Sequence, residues 1–179
     1  MLRDFNIIAT TDRISENRAM SELWVLLRAV GDEKPIVDRV GIWGIIAAKT
    51  SLESIETVKK ISEDFKKHPE SIQTLYRIIP IQRLVPTDLS EIKKAIKELA
   101  TPIGSNESFR ITFEKRRTNL KTKDVIESVA DLVERKVNLE NPDWVILIES
   151  LGRLTGLSIL HPKNILNIQK ERASVTLKA

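Results

Sequence analysis

The chain has no cysteine in 179 residues, which excludes a disulfide framework, a thiolate metal site and a cysteine nucleophile. Histidine is nearly as scarce. His68 stands at a helix end and His161 just before Pro162, in no ligand or triad spacing, so structural roles are expected for both. The six glycines form neither a G-x-x-x-x-G-K-[ST] loop nor a G-x-G-x-x-G fingerprint. Gly152 and Gly156 instead flank a turn. Aromatic residues make up only 4% of the chain, and Trp24, Trp43 and Trp144 lie within apolar patterns. Burial is expected for all three, in preference to stacking on bases. No apolar run approaches the roughly 20 residues that cross a bilayer, and Met1-Leu2-Arg3-Asp4 does not open a signal peptide. A cytoplasmic location away from membranes is expected. With nucleophile, metal cluster and cofactor loop all missing, the expectation is no enzyme, no metal and no cofactor.

What is present is charge, 30% of the residues, with a net +4. Residues 88–179 carry 16 basic and 13 acidic side chains, so any anion-binding surface must be local. Abundant Lys, Glu, Arg and Ile with only three glutamines suggest a heat-adapted source.

The organising stretch begins with Phe109-Arg110-Ile111-Thr112-Phe113-Glu114, an alternation that fits a half-buried strand. Lys115, Arg116 and Arg117 follow in a row. Three successive cations cannot share one face of a strand, so they are expected at its carboxyl tip, out of the core. Thr122 is placed to cap a helix carrying Val125, Ile126, Val129, Leu132 and Val133 at helical spacing. After Asn141-Pro142-Asp143, the run Trp144 to Ile148 suits a strand covered on both faces. The whole reads as a βαβ unit. From Arg110 to Lys123 there are six cations, Arg110, Lys115, Arg116, Arg117, Lys121 and Lys123, against one acid, Glu114. Ligands favour the carboxyl ends of strands in open α/β sheets, and helix starts favour anions. The loop is therefore a candidate phosphate site, the alternative being a solvated charged loop.

The first half reads strand, helix, strand, strand, helix, strand. Strands are expected at 5–9, 36–40, 43–48 and 75–79. The helices carry Ala19 to Val30 and Leu52 to Phe65. This is the split ferredoxin-like order, so the expected class is α/β (α+β), with a ferredoxin-like domain at 1–86 and a second domain at 87–179. Thr50 with Glu53, and Asp88 with Glu91, look like capping boxes. A hairpin around Gly152-Arg153 leads into Leu157 to Leu160, and Ile165, Leu166 and Ile168 suggest a short last element.

The segments Phe109 to Arg117, Lys136 to Asp143 and Gly156 to Leu160 resemble a THUMP domain, a module of tRNA thiouridine synthases, RNA methylases and pseudouridine synthases. Phe5 to Thr11, Lys49-Thr50-Ser51 and Arg77 to Ile81 resemble the ferredoxin-like domain that precedes it. Two such modules alone look most like the tRNA-acetylation adaptor group. The resemblance implies RNA binding, with the tRNA acceptor region as ligand. It implies a separate modifying enzyme as partner, an RNA cytidine acetyltransferase making N4-acetylcytidine. It places Lys115, Arg116 and Arg117 at the RNA, with Arg153 and Lys163 nearby. The competing reading is a regulatory or protein-interaction module that binds a small molecule or partner without RNA.

Overall fold

The computed structural model describes residues 1–176. It divides into two compact units, one formed by residues 1–81 with the chain from Lys163 onward, the other by residues 82–162.

In the first unit the order is β1 (Ile7–Thr10), α1 (Glu16–Ala29), β2 (Ile36–Arg39), β3 (Ile45–Lys49), α2 (Ser54–Lys67) and β4 (Arg77–Pro80). The sheet runs β4-β1-β3-β2 with every neighbouring pair antiparallel, which is the ferredoxin-like arrangement. Side-chain alternation along β1, which is buried on both faces from Ile7 to Ala9, puts Ile7 and Ala9 in the same cluster as Leu23 and Leu27 of α1 and Val58, Ile61 and Phe65 of α2. Fully burying each large apolar side chain contributes about 1.5–3 kcal/mol. Glu53, not Thr50, caps α2, accepting the N–H groups of Ile55 and Glu56 at 3.1 and 2.8 Å. Thr50 accepts the Leu52 N–H instead.

The second unit contains β5 (Arg83–Pro86), α3 (Leu89–Leu99), β6 (Ser108–Arg116), α4 (Thr122–Ala130), β7 (Lys136–Val137), β8 (Trp144–Leu151) and β9 (Leu154–Leu160). Its sheet order is β5-β9-β8-β6-β7. β6 and β8 are parallel, with Phe109 opposite Trp144 and Phe113 opposite Ile148. Phe109, Ile146, Ile148, Leu157 and Ile159 pack with Ile92, Ile96, Val125 and Val129 of the two helices.

Three expectations change here. The tail read as part of the second domain turns back instead. β10 (Leu166–Asn167) pairs antiparallel with β4, and α5 (Ile168–Thr176) follows it. The boundary expected after residue 86 falls at the end of β5, which is hydrogen-bonded to β9 from Arg83 to Pro86, so the second unit begins before it, at Gln82. Two tryptophans expected in the core are exposed, Trp43 at 60% and Trp24 at 45%. Each lies beside an arginine, Arg13 and Arg28, that stacks over its ring.

Candidate nucleic-acid interface

β5 is antiparallel to β9 and β9 to β8, so β5, β6 and β8 all point the same way. Their carboxyl ends meet at one rim of the sheet. There, Pro86 at the end of β5 with Thr87 after it, Arg117 to Leu120 after β6, and Gly152 and Arg153 between β8 and β9 line a groove of about 530 Å³. The two arginines come from segments 36 residues apart, brought together by the β6–β8 register.

Backbone ties fix this rim. The Gly152 N–H donates to the Arg116 carbonyl at 2.9 Å, and the Thr87 N–H donates to the Arg153 carbonyl at 2.9 Å. The hydroxyls of Thr87 and Thr155 lie 2.9 Å apart, and that of Thr155 lies 3.0 Å from Ser150. Gly152 has φ +69°, the left-handed backbone that a two-residue hairpin loop requires. Arg117 has φ +52°, which costs a non-glycine residue roughly 1–2 kcal/mol. Strain of this kind concentrates at functional sites.

Two helices start from this rim, and their ends differ. Asp88 closes the start of α3, accepting the N–H groups of Ser90 and Glu91 at 2.8 and 3.2 Å. The Ser90 hydroxyl, then the Glu91 and Ser90 N–H groups, hold its carboxyl below the usual range. At α4 the cap position is Lys121, not a serine or threonine, and no side chain caps the helix. Thr122, expected as the cap, is its first residue. The α4 start thus has no side-chain cap, and the one acid in its first turn is Asp124.

The basic residues expected at the RNA separate into different roles. Arg116 is still within β6, and its guanidinium pairs with the Glu149 carboxylate, whose side chain is wholly buried. Glu114 lies 3.6 Å from the same guanidinium. Glu114 stands opposite Glu149 in the ladder, and alternation returns Arg116 to that face two residues on. Arg116 is therefore tied to two carboxylates of the sheet, unlike its neighbours in the expected basic triplet. Lys115 is exposed, and Arg117 is exposed and lines the groove. Lys121 is exposed at the α4 start, while Lys123 is exposed 3.7 Å from Glu127 on the same helix. Arg153 is exposed and lines the groove. Arg110 lies six residues before Arg116, roughly 20 Å back along the strand, where its guanidinium donates to the Leu139 carbonyl at 3.0 Å. Lys163 is exposed on the single turn Pro162–Asn164 and begins the segment that returns to the first unit. The groove also uses Thr87, Thr118 and Asn119, for which the local sequence carries no periodic signal.

The opposite rim is acidic and self-satisfied. The Asp143 carboxylate accepts the N–H and the hydroxyl of Ser108, both at 2.7 Å. These bonds, the N–H first, hold its carboxyl below the ordinary value. Glu107 is lowered by the Gly104 N–H and then by the Trp144 indole N–H. His161 stacks on Trp144 with ring centroids 4.0 Å apart. A carboxyl depressed in the folded state stabilises above its unfolded pKa, and that contribution is lost as pH falls through the folded pKa. Stability of wild type should accordingly be level above about pH 5 and fall below about pH 4. In Ser108→Ala the protein should be less stable at neutral pH and the fall on acidification smaller, because Asp143 keeps less of its depression while its unfolded pKa is unchanged, read as the denaturant midpoint across a pH series.

Residues 86–160 match the THUMP domain family. The chain therefore contains a THUMP domain over these residues. No curated protein matches the sequence. Among solved structures, PH1313 from Pyrococcus horikoshii Ot3 is similar at TM-score 0.61 and 17% identity, over 88% of this chain and 54% of that one. A 4-thiouridine synthetase, solved in complex with RNA and bound ATP, is similar at 0.52 and 17%, over 88% and 42%. A possible methylase from Clostridium difficile 630 is similar at 0.52 and 13%, over 87% and 40%. The chain thus spans about half the length of the structures it matches, or less. These likenesses correct one expectation. The fold recurs in a synthetase and in a possible methylase, so the reading of this chain as no enzyme is withdrawn. Among the described residues, no helix is long and apolar enough to cross a membrane.

Proposed function

We propose that the chain binds tRNA through the rim of its THUMP domain and holds it for a modifying active site. The observation that carries this reading is the convergence of Arg117 and Arg153 on one groove beside the uncapped start of α4. Exposed Lys115 and Lys121 extend the positive field. Arginine forks bind phosphate oxygens in pairs, and such contacts carry little sequence information. That suits a module facing features shared by many tRNAs, the acceptor region foremost. The reaction served is acetyl transfer to cytidine, with an RNA cytidine acetyltransferase as partner in the cytoplasm. Its support is the resemblance of the two modules to the tRNA-acetylation adaptor group.

Affinity for tRNA measured across a salt series tests the binding. Log K is expected to fall linearly with log salt, by about 0.7–0.9 per phosphate contacted. A flat response, or no binding at moderate salt, overturns the reading. Incubation of tRNA and acetyl-CoA with the chain, with an acetyltransferase, and with both tests the chemistry. Acetylcytidine is expected to rise when both are present. Product from the chain alone would assign the chemistry to this polypeptide.

A further inference from the structure

Trp43 is 60% exposed, although an indole in water forgoes about 1.5–3 kcal/mol of burial. The Arg13 guanidinium lies over its ring, 4.2 Å from the centroid. The turn that presents it is held from several sides. Gly44 adopts φ +75°, and a Cβ there would come within 2.7 Å of the Thr11 carbonyl oxygen. The Gly44 carbonyl accepts the Thr11 N–H at 2.9 Å, and the Gly44 N–H donates to the buried Glu16 carboxylate at 2.7 Å. Glu16 also takes the Arg39 guanidinium at 3.0 Å.

The same end of the sheet, where β1 finishes and β3 and β4 begin, exposes Ile14 at 96% and Tyr76 at 40%. The carboxylate next in sequence, Asp12, is occupied by the Ile14 and Ser15 N–H groups at 2.8 Å and by the Tyr76 hydroxyl at 3.1 Å. The outcome is a fixed, largely exposed aromatic plane with a cation over its ring.

We infer that the Trp43–Arg13 pair is a stacking platform for an unpaired nucleobase of single-stranded RNA, bound by the first unit. Every base has a π-face, and base–aromatic stacking supported by arginine is tolerant of sequence. A planar base can stack on the exposed part of this ring, and the guanidinium favours the adjoining phosphate. A protein partner would have to bury that cation against its own surface. The inference rests on the proposed reading of the chain as an RNA binder, but it uses residues outside the THUMP groove.

The test is titration of the full chain with a short oligoadenylate and with a duplex hairpin of equal length, followed by tryptophan fluorescence. Quenching is expected with the single strand and not with the duplex. Trp43→Ala should abolish the quenching and weaken single-strand affinity at least about fivefold. The slope of log K against log salt should stay as in wild type, because no phosphate contact is removed. Trp43→Phe should recover most of the affinity, which separates stacking from damage to the fold. Wild-type affinity in Trp43→Ala, in a chain that otherwise binds RNA, overturns this inference alone. If wild type binds no RNA, both readings fall. If Trp43→Ala loses a protein partner while keeping RNA affinity, the platform serves protein docking and the inference is overturned.

Discussion

Replacing Arg117 by glycine and Arg153 by serine is expected to weaken tRNA binding about a hundredfold at moderate salt, with little change in stability. Each charge-assisted hydrogen bond is worth about 1.5–3 kcal/mol, and 1.4 kcal/mol is tenfold in affinity. The choice of glycine at 117 is deliberate. Arg117 occupies left-handed backbone at φ +52°, which glycine adopts without steric cost. The relief offsets the added freedom of the unfolded chain, so the backbone change by itself should leave the thermal midpoint near wild type. The slope of log K against log salt should become shallower by about 1.5, the share of two lost phosphate contacts. Unchanged affinity in this variant would move the interface off the groove. A large stability loss would mean that Arg117 acts mainly within the fold.

Arg116→Ala should behave in the opposite way, lowering stability by about 3 kcal/mol. Arg116 is the guanidinium partner of Glu149, a carboxylate wholly shielded from solvent. Removing it leaves that charge to be desolvated without its counter-ion, the costly way to break a buried pair. For a chain of this length the midpoint should fall on the order of 6–12 °C. Arg116→Glu should be worse, since it sets a third carboxylate beside Glu114 and Glu149. The double variant Arg116→Met/Glu149→Leu removes both charges and should recover most of the loss. The Arg116 carbonyl also receives the Gly152 N–H, so disorder here would loosen the rim that presents Arg117 and Arg153. RNA affinity lost at full stability would return Arg116 to the set of direct contacts.

The contrast between neighbouring arginines shows what the sequence could and could not convey. Alternation from Phe109 to Phe113 located β6, and the uninterrupted run after Trp144 located its parallel partner, because burial on one or two faces leaves a period in the residues themselves. The order of the first half gave the ferredoxin-like sheet for the same reason. The Arg116–Glu149 pair leaves no such trace, since it depends on the register of strands 33 residues apart. One signal was available: Glu149 directly follows the apolar run Trp144 to Ile148, and a carboxylate continuing a buried strand calls for a cation. β5 and β10 are four and two residues long, too short for any period. Trp43 was misread because an apolar neighbourhood in sequence is no guarantee of cover when a turn at paired left-handed glycines lifts the ring into solvent.

The return of the chain to β4 has a practical side. A cloning boundary or a protease that removes everything after Pro162 strips β4 of β10 and bares a row of N–H and C=O groups. An uncovered strand of that kind invites another copy of the molecule to add alongside it. The inner piece, residues 82–162, can be excised in one cut at each end. The outer piece stays whole only when both of its separated segments are kept, and a truncated version is expected to self-associate.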